Sequence, residues 1–211
     1  MRAGPPSPLV AIADLDTLGE ALPGLVKDAW LGGVPWMILR AKGADTAWRV
    51  RLAREILDRA PGIFLSLHGD LRAAAMAGCP GVHLPFAGVG DLREALSSFS
   101  CVGVSCHGAG ELEKAAGADY AFLSPVFAPT SKPGDERPPL DWARFDELAK
   151  ESPVPVYALG GLRLESAADA SRAGAAGVAV LGGLFLSPDV RGCAERWVEA
   201  VGLAFGKVGG S

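Results

Sequence analysis

The chain has 211 residues, 49% of them hydrophobic and 21% charged, which suits a folded domain with a substantial core and excludes a disordered chain. A formal net charge of −4 offers no basic surface for a nucleic-acid partner, and no apolar run is long enough to span a bilayer. Asp14 and Asp16 interrupt the N-terminal apolar stretch too early for a signal peptide, and Cys79, Cys101, Cys106 and Cys193 form no CxxC pair, so the expectation is a cytoplasmic protein with buried, idle thiols.

Short apolar runs alternate with longer amphipathic stretches along the whole chain. In order, the runs are PLVAIAD from Pro8, PWMILRAK from Pro35, GIFLSLHG from Gly62, GVHLP from Gly81, CVGVSCH from Cys101, YAFLSPVF from Tyr120, PVYALGG from Pro155 and GVAVLGG from Gly177. They are continuously apolar rather than alternating, as parallel strands covered on both faces should be. After the second run, residues 46–60 place Trp48, Leu52, Ile56 and Leu57 at helical spacing, with Arg49, Arg51, Arg54 and Asp58 elsewhere on the surface. Residues 141–150 and 189–204 repeat that pattern. Asp91, Asp141 and Ser187 are candidate N-terminal caps or first-turn residues. About eight βα units, with residues 1–211 read as a single domain, predict a (β/α)8 TIM barrel; a doubly wound sheet is the rival. The Pro/Gly stretch at 133–139 follows the predicted sixth strand and reads as an active-site loop.

Reacting groups of a barrel collect at the C-terminal ends of its strands. Two runs end there in paired glycines, Gly160-Gly161 and Gly182-Gly183. Bare backbone N–H groups beside a helix start suit an anion, most often phosphate; a tight βα turn is the plain alternative. All three histidines, His68, His83 and His107, fall at the ends of consecutive predicted strands. Imidazole titrates near neutral pH and so suits proton transfer. Three histidines also suit zinc, but neither helical nor CxxC-type spacing supports a metal site, so none is expected. Arg40 and Lys42 are two apart on a predicted strand and so face one way, toward an anion or toward helix carboxylates. Lys132 sits among Pro125, Pro129 and Pro133, either held over a substrate or solvated in its loop.

The segments GVHLP (81–85), GVSCH (103–107), GADYAFLSPVFAPTSKPG (117–134), PVYALGG and GVAVLGG resemble, in order and spacing, the thiamine phosphate synthase and TenI family, from residue 40 to about residue 184. The resemblance implies a barrel that binds the thiazole phosphate half of thiamine at its mouth. In the synthase, that thiazole attacks a pyrimidine pyrophosphate held by magnesium; a pyrimidine carbocation forms, and thiamine phosphate and pyrophosphate leave. TenI relatives keep the thiazole phosphate pocket, and some isomerise a thiazole carboxylate phosphate to its aromatic tautomer without metal. By position, Arg40 and Lys42 match the basic pair of the synthase's Gln-x-Arg-x-Lys strand, which faces pyrophosphate. Ser105 matches the serine of Gly-x-Ser, His83 the histidine of Gly-Val-His-Leu, and Ser131-Lys132 the Thr-Lys that closes the sixth loop. Gly161, Leu181 and Gly182 fall where backbone amides hold the thiazole phosphate.

The departures are as informative. The strand glutamine is Ile38, the Asn-Asp pair after strand three is His68-Gly69, and the Gly-Gln-x-Asp after strand four reads Pro85-Phe86-Ala87-Gly88. Both carboxylates that would hold magnesium are replaced, and a hard cation needs oxygen ligands. The nearest acids are Asp70 and Asp91. The proton-shuttle histidine of some TenI proteins falls on Pro125. The expectation is therefore a TenI-like, metal-independent thiazole tautomerase, with His83, His68 or His107 moving the proton and Lys132 stabilising negative charge. Thiamine phosphate synthase and a non-catalytic binder of thiazole or thiamine phosphates are the alternatives. No cofactor is expected, with magnesium entering only under the synthase alternative. The expected partner is a small-molecule thiazole phosphate, with no nucleic acid and no membrane, and the oligomeric state stays open.

Overall fold

A computed structural model describes residues 4–128 and 138–206. Eight strands, β1 (Leu9–Asp14), β2 (Trp36–Arg40), β3 (Phe64–His68), β4 (Gly81–Leu84), β5 (Cys101–Cys106), β6 (Tyr120–Leu123), β7 (Val156–Leu159) and β8 (Gly177–Val180), form a closed parallel barrel in sequence order, with β8 returning to pair with β1. Each lies inside one of the apolar runs of the sequence, and closure removes the doubly wound rival. The helices are α1 (Leu15–Leu18), α2 (Leu22–Leu31), α3 (Thr46–Arg59), α4 (Leu71–Ala77), α5 (Leu92–Ser98), α6 (Ala109–Lys114), α7 (Asp141–Glu151), α8 (Ser166–Arg172), α9 (Gly182–Phe185) and α10 (Val190–Phe205). Short 3-10 turns occupy Gly19–Ala21 and Phe86–Asp91. No described helix is long and apolar enough to cross a membrane.

Two apolar layers explain why the runs lack polar alternation. Successive strand side chains point to opposite faces of the sheet. One set, including Val10, Ile12, Trp36, Ile38, Tyr120, Phe122 and Tyr157, fills the barrel interior. The other set, including Ala11, Met37, Leu39, Leu65, Val102 and Val178, packs beneath the helices. On α3 the buried face is Val50, Leu52, Ala53 and Ile56, with Trp48 and Leu57 half-buried at its margin.

The interior is solid. Trp36 meets Tyr120 edge-on at 4.9 Å between centroids and Tyr157 at 5.6 Å, and the two tyrosines are 5.5 Å apart. Edge-to-face contacts of this kind stabilise beyond their buried area. Each polar tip is satisfied: Trp36 Nε1 donates to Ser66 Oγ, Tyr157 donates to the Ser7 carbonyl, and Tyr120 Oη lies 2.9 Å from His83 Nδ1. Glycine makes the room, because a Cβ on Gly103 would lie 2.0 Å from the Tyr120 ring.

Helix starts differ from expectation in detail. Asp189, rather than Ser187, caps α10 by accepting from the Gly192 N–H at 2.9 Å; Ser187 instead donates to the Asp189 carbonyl. Asp141 lies in the first turn of α7 and accepts from the Arg144 N–H. Asp91 stands at the cap position of α5 without a side-chain cap bond. All four cysteines are buried and none forms a disulfide. Burial pushes the thiols of Cys79 and Cys106 up to about 12, with Glu111 adding to the effect on Cys106, so neither is a nucleophile at neutral pH.

Candidate active site

A cavity of about 1090 Å³ opens at the C-terminal ends of the strands. It brings together Arg40, Lys42, His68, His83, Ser105, His107, Gly160, Gly161, Leu181, Gly182 and Gly183. Ser131 and Lys132 lie outside the described residues. Phe122 and Ile12 form part of the cavity floor, while Pro85, Phe86, Phe127 and Leu186 make apolar wall.

The β7–β8 side is built from backbone. Gly160 and Gly161 take φ of +108° and +61°, which side chains oppose. They also have no room for one: a Cβ on Gly160 would sit 2.9 Å from Pro125 Cα, and one on Gly161 2.7 Å from Phe127 Cβ. The segment after β6 runs along this turn, with Val126 N–H donating to the Leu159 carbonyl and Phe127 N–H to the Gly160 carbonyl. Gly182 and Gly183 open α9, where N–H groups have no intrahelical acceptor. Gly183 is fixed from behind, since its carbonyl accepts from Trp197 Nε1 at 3.0 Å and a Cβ there would meet the Leu162 carbonyl oxygen at 2.8 Å. This half can hold an anion on amides alone.

The β2–β5 side is built from side chains. His83, at the centre of β4, is 1% exposed, and both of its ring nitrogens are in hydrogen-bond reach: Nδ1 of Tyr120 Oη at 2.9 Å, Nε2 of Ser105 Oγ at 2.8 Å. Burial first, and the neighbouring His68 second, hold its pKa well below the usual histidine value, so it is neutral. The His68 ring stacks on it at 5.8 Å. His107 follows β5, its backbone N–H donating to Glu111 Oε2 at 2.7 Å. Its Nδ1 lies 2.7 Å from the Ser124 carbonyl oxygen. A carbonyl only accepts, so Nδ1 carries a proton and Nε2 is the basic nitrogen of the neutral ring.

The expected basic pair is split. Arg40 lines the cavity, yet its guanidinium is bonded to the buried Asp14 carboxylate, with Asp16 3.8 Å away. Thr17 Oγ1 donates to the other oxygen of Asp14 at 2.8 Å. Lys42 lies beyond the end of β2, exposed on the cavity rim, and forms no ion pair among the described residues. The register pairs Asp14 with Arg40 as last residues of adjacent strands.

Among the described residues, the carboxylates that line the cavity are Glu165 and Asp169, which follow β7, and Asp169 is paired with Arg172, so the described donors do not fit a hard divalent cation. Where such an ion would need carboxylates, the described wall is His68, Pro85 and Phe86. Asp70 faces α3 and α4 instead: it accepts from Arg49 Nη1 and Thr46 Oγ1, both at 2.9 Å, and from the Ala73 N–H at 2.8 Å. Burial opposes its charge, but these three donors outweigh that and hold its carboxyl below the usual range. Asp14 is taken by Arg40, and Asp91 is not among the residues lining the cavity. Among the described residues, no three His, Cys, Asp or Glu side chains group as a metal site.

A profile of the thiamine monophosphate synthase family matches residues 9–184. The chain belongs to that family. A thiamine-phosphate synthase of Thiobacillus denitrificans is 37% identical over 184 residues, covering 84% of this chain and 86% of its own length. A putative thiamine-phosphate synthase of Geobacter sulfurreducens is 37% identical over 183 residues, covering 82% of this chain and 84% of its own. In fold, a thiamine phosphate pyrophosphorylase of Pyrococcus furiosus superposes with a TM-score of 0.80 at 21% identity, over 93% of this chain and 96% of that one. The thiamine monophosphate synthase family works on small molecules in thiamine biosynthesis, and this chain is an enzyme of that family.

Proposed function

We propose that this enzyme acts in the cytoplasm on a thiazole phosphate, moving a proton between two carbons of the ligand as a metal-independent tautomerase. One observation carries the reading: an amide cradle for phosphate faces an imidazole-bearing wall that, among the described residues, has no carboxylate placed for a hard cation. The phosphate would sit on the amides of Gly161, Gly182 and Gly183, which leaves the thiazole ring over the histidines. His107 is the base best prepared for the step. Its Nδ1–H is anchored on the Ser124 carbonyl, which orients the ring and leaves Nε2 as the nitrogen that can accept a proton. Nε2 takes a proton from one carbon and returns it to another, so no electrons or groups are exchanged with a second reactant. His83 is unsuited to direct transfer, since both of its nitrogens are already engaged. The test follows conversion of thiazole carboxylate phosphate by ultraviolet absorbance in the presence of a chelator. Turnover that survives the chelator supports the reading; no rate above background sinks it.

The names of the relatives favour a second reading, thiamine phosphate synthase. It would use Arg40 and Lys42 toward a pyrophosphate, and Arg40 would have to leave Asp14 to do so. Supplying pyrimidine pyrophosphate, thiazole phosphate and magnesium separates the two, because pyrophosphate release would establish the synthase and displace the tautomerase.

A further inference from the structure

The proposed proton transfer leaves Tyr120 unused, although it sits at the centre of the barrel beneath the histidines. It is 0% exposed, and among the described residues its hydroxyl partner is His83 Nδ1 at 2.9 Å. A buried hydroxyl hydrogen without an acceptor is costly, and among the described residues no buried side-chain nitrogen or oxygen lacks a partner. Burial first, then the nearby Cys101, Tyr157 and Asp119, push the phenol well above its usual pKa, so it keeps its hydrogen. The phenol therefore donates to Nδ1. The neutral His83 ring must then carry its own proton on Nε2, which donates to Ser105 Oγ at 2.8 Å. Ser105 accepts this bond and lines the cavity, so its hydroxyl hydrogen is left to point there.

We infer that Tyr120 is a positioning residue: through His83 it fixes Ser105 as a hydrogen-bond donor into the cavity, so this wall selects an oxygen acceptor on the ligand. The opposite polarity, in which His83 activates the serine as a nucleophile, is disfavoured by the same geometry because it would leave the phenol hydrogen of Tyr120 without a partner. The fold reserves the space for this chain of bonds, since only glycine at 103 admits the Tyr120 ring. A carboxylate on the ligand's heterocycle, on the side away from the phosphate, is the acceptor chemistry that matches; this identification of the ligand rests on the tautomerase reading, whereas the polarity of the relay does not.

Two measurements test it. In protein labelled with ¹⁵N-histidine, ring nitrogen shifts distinguish protonated from unprotonated positions, and His83→Asn assigns the signal among the three histidines. The expected result is a neutral His83 with its proton on Nε2; a proton on Nδ1, or an imidazolium at neutral pH, overturns the relay. Calorimetry with thiazole carboxylate phosphate then compares the wild type, Ser105→Ala, Tyr120→Phe and the double variant. Each single change is expected to weaken binding roughly tenfold, and the double variant no further than Ser105→Ala. Additive losses would make Tyr120 a packing residue only, and an undiminished Ser105→Ala would remove the donor role. Absence of binding by the wild type would reject the assigned ligand while the ring measurement still decides the relay. That measurement uses the wild type, so the polarity remains decidable if Tyr120→Phe fails to fold.

Discussion

The two halves of the mouth solve recognition differently. The β7–β8 half offers backbone amides on glycine turns, and its geometry is set by φ angles and by close approach of neighbouring chain. The β2–β5 half offers side chains whose polarity depends on what lies behind them: Asp14 behind Arg40, Tyr120 behind His83, the Ser124 carbonyl behind His107. A backbone site is fixed once the turn is fixed. A side-chain site is only as defined as its supports, so a change in this half alters chemistry before it alters fold.

That contrast can be broken at graded cost. The largest effect is expected from His107→Asn, which should lower turnover by roughly 10²- to 10⁴-fold with little change in melting temperature, the usual range for loss of a general base. An equal loss of thermal stability would place His107 in the fold rather than in the chemistry. Gly161→Ala should do the reverse. It meets both a positive φ and the Phe127 and Ala128 backbone region, with predicted destabilisation of about 3 kcal/mol and a raised Michaelis constant. Urea unfolding together with steady-state kinetics reads both. Asp14→Asn should cost about 2 kcal/mol, because it leaves the Arg40 charge half-compensated in a largely buried place. A stability gain would mean that the pair is not structural.

The smallest effect is a pH dependence. His83 is held well below its usual value in the folded protein, whereas in the unfolded chain it titrates near 6.5. Below that pH the unfolded state binds a proton that the folded state refuses, so stability is full above it and declines as the pH falls toward the folded value. One such proton contributes at most about 1.4 kcal/mol per pH unit. Urea midpoints at about pH 7.5 and about pH 5.5 should therefore differ less for His83→Asn than for the wild type. Equal differences would show that His83 does not carry the effect.

The same contrast explains what could be read in advance. All eight strands were legible because each is an apolar run closed by glycine, proline or a polar residue, and the turn at Gly160-Gly161 was legible because glycine is needed there for two independent reasons, a positive φ and the close approach of neighbouring chain. The supports were not. Asp14 read merely as a charge interrupting an apolar stretch, while its partner lies 26 residues away across the β1–β2 pairing. Tyr120 read as one more strand aromatic, and its role depends on the pairing of Gly103 with Tyr120 across β5 and β6. Asp70 read as a spare carboxylate near the mouth, but Arg49 and Thr46 from the preceding helix claim it. Such pairings are set by strand register and helix packing, which a single sequence encodes only collectively.

The interlocked rings of Trp36, Tyr120 and Tyr157 carry a kinetic consequence. They stopper the barrel from below, so the mouth is both entrance and exit. Product has to vacate the chamber before fresh substrate is admitted, and accumulated product competes for the same doorway. Turnover at high product concentration is therefore governed by departure through that opening.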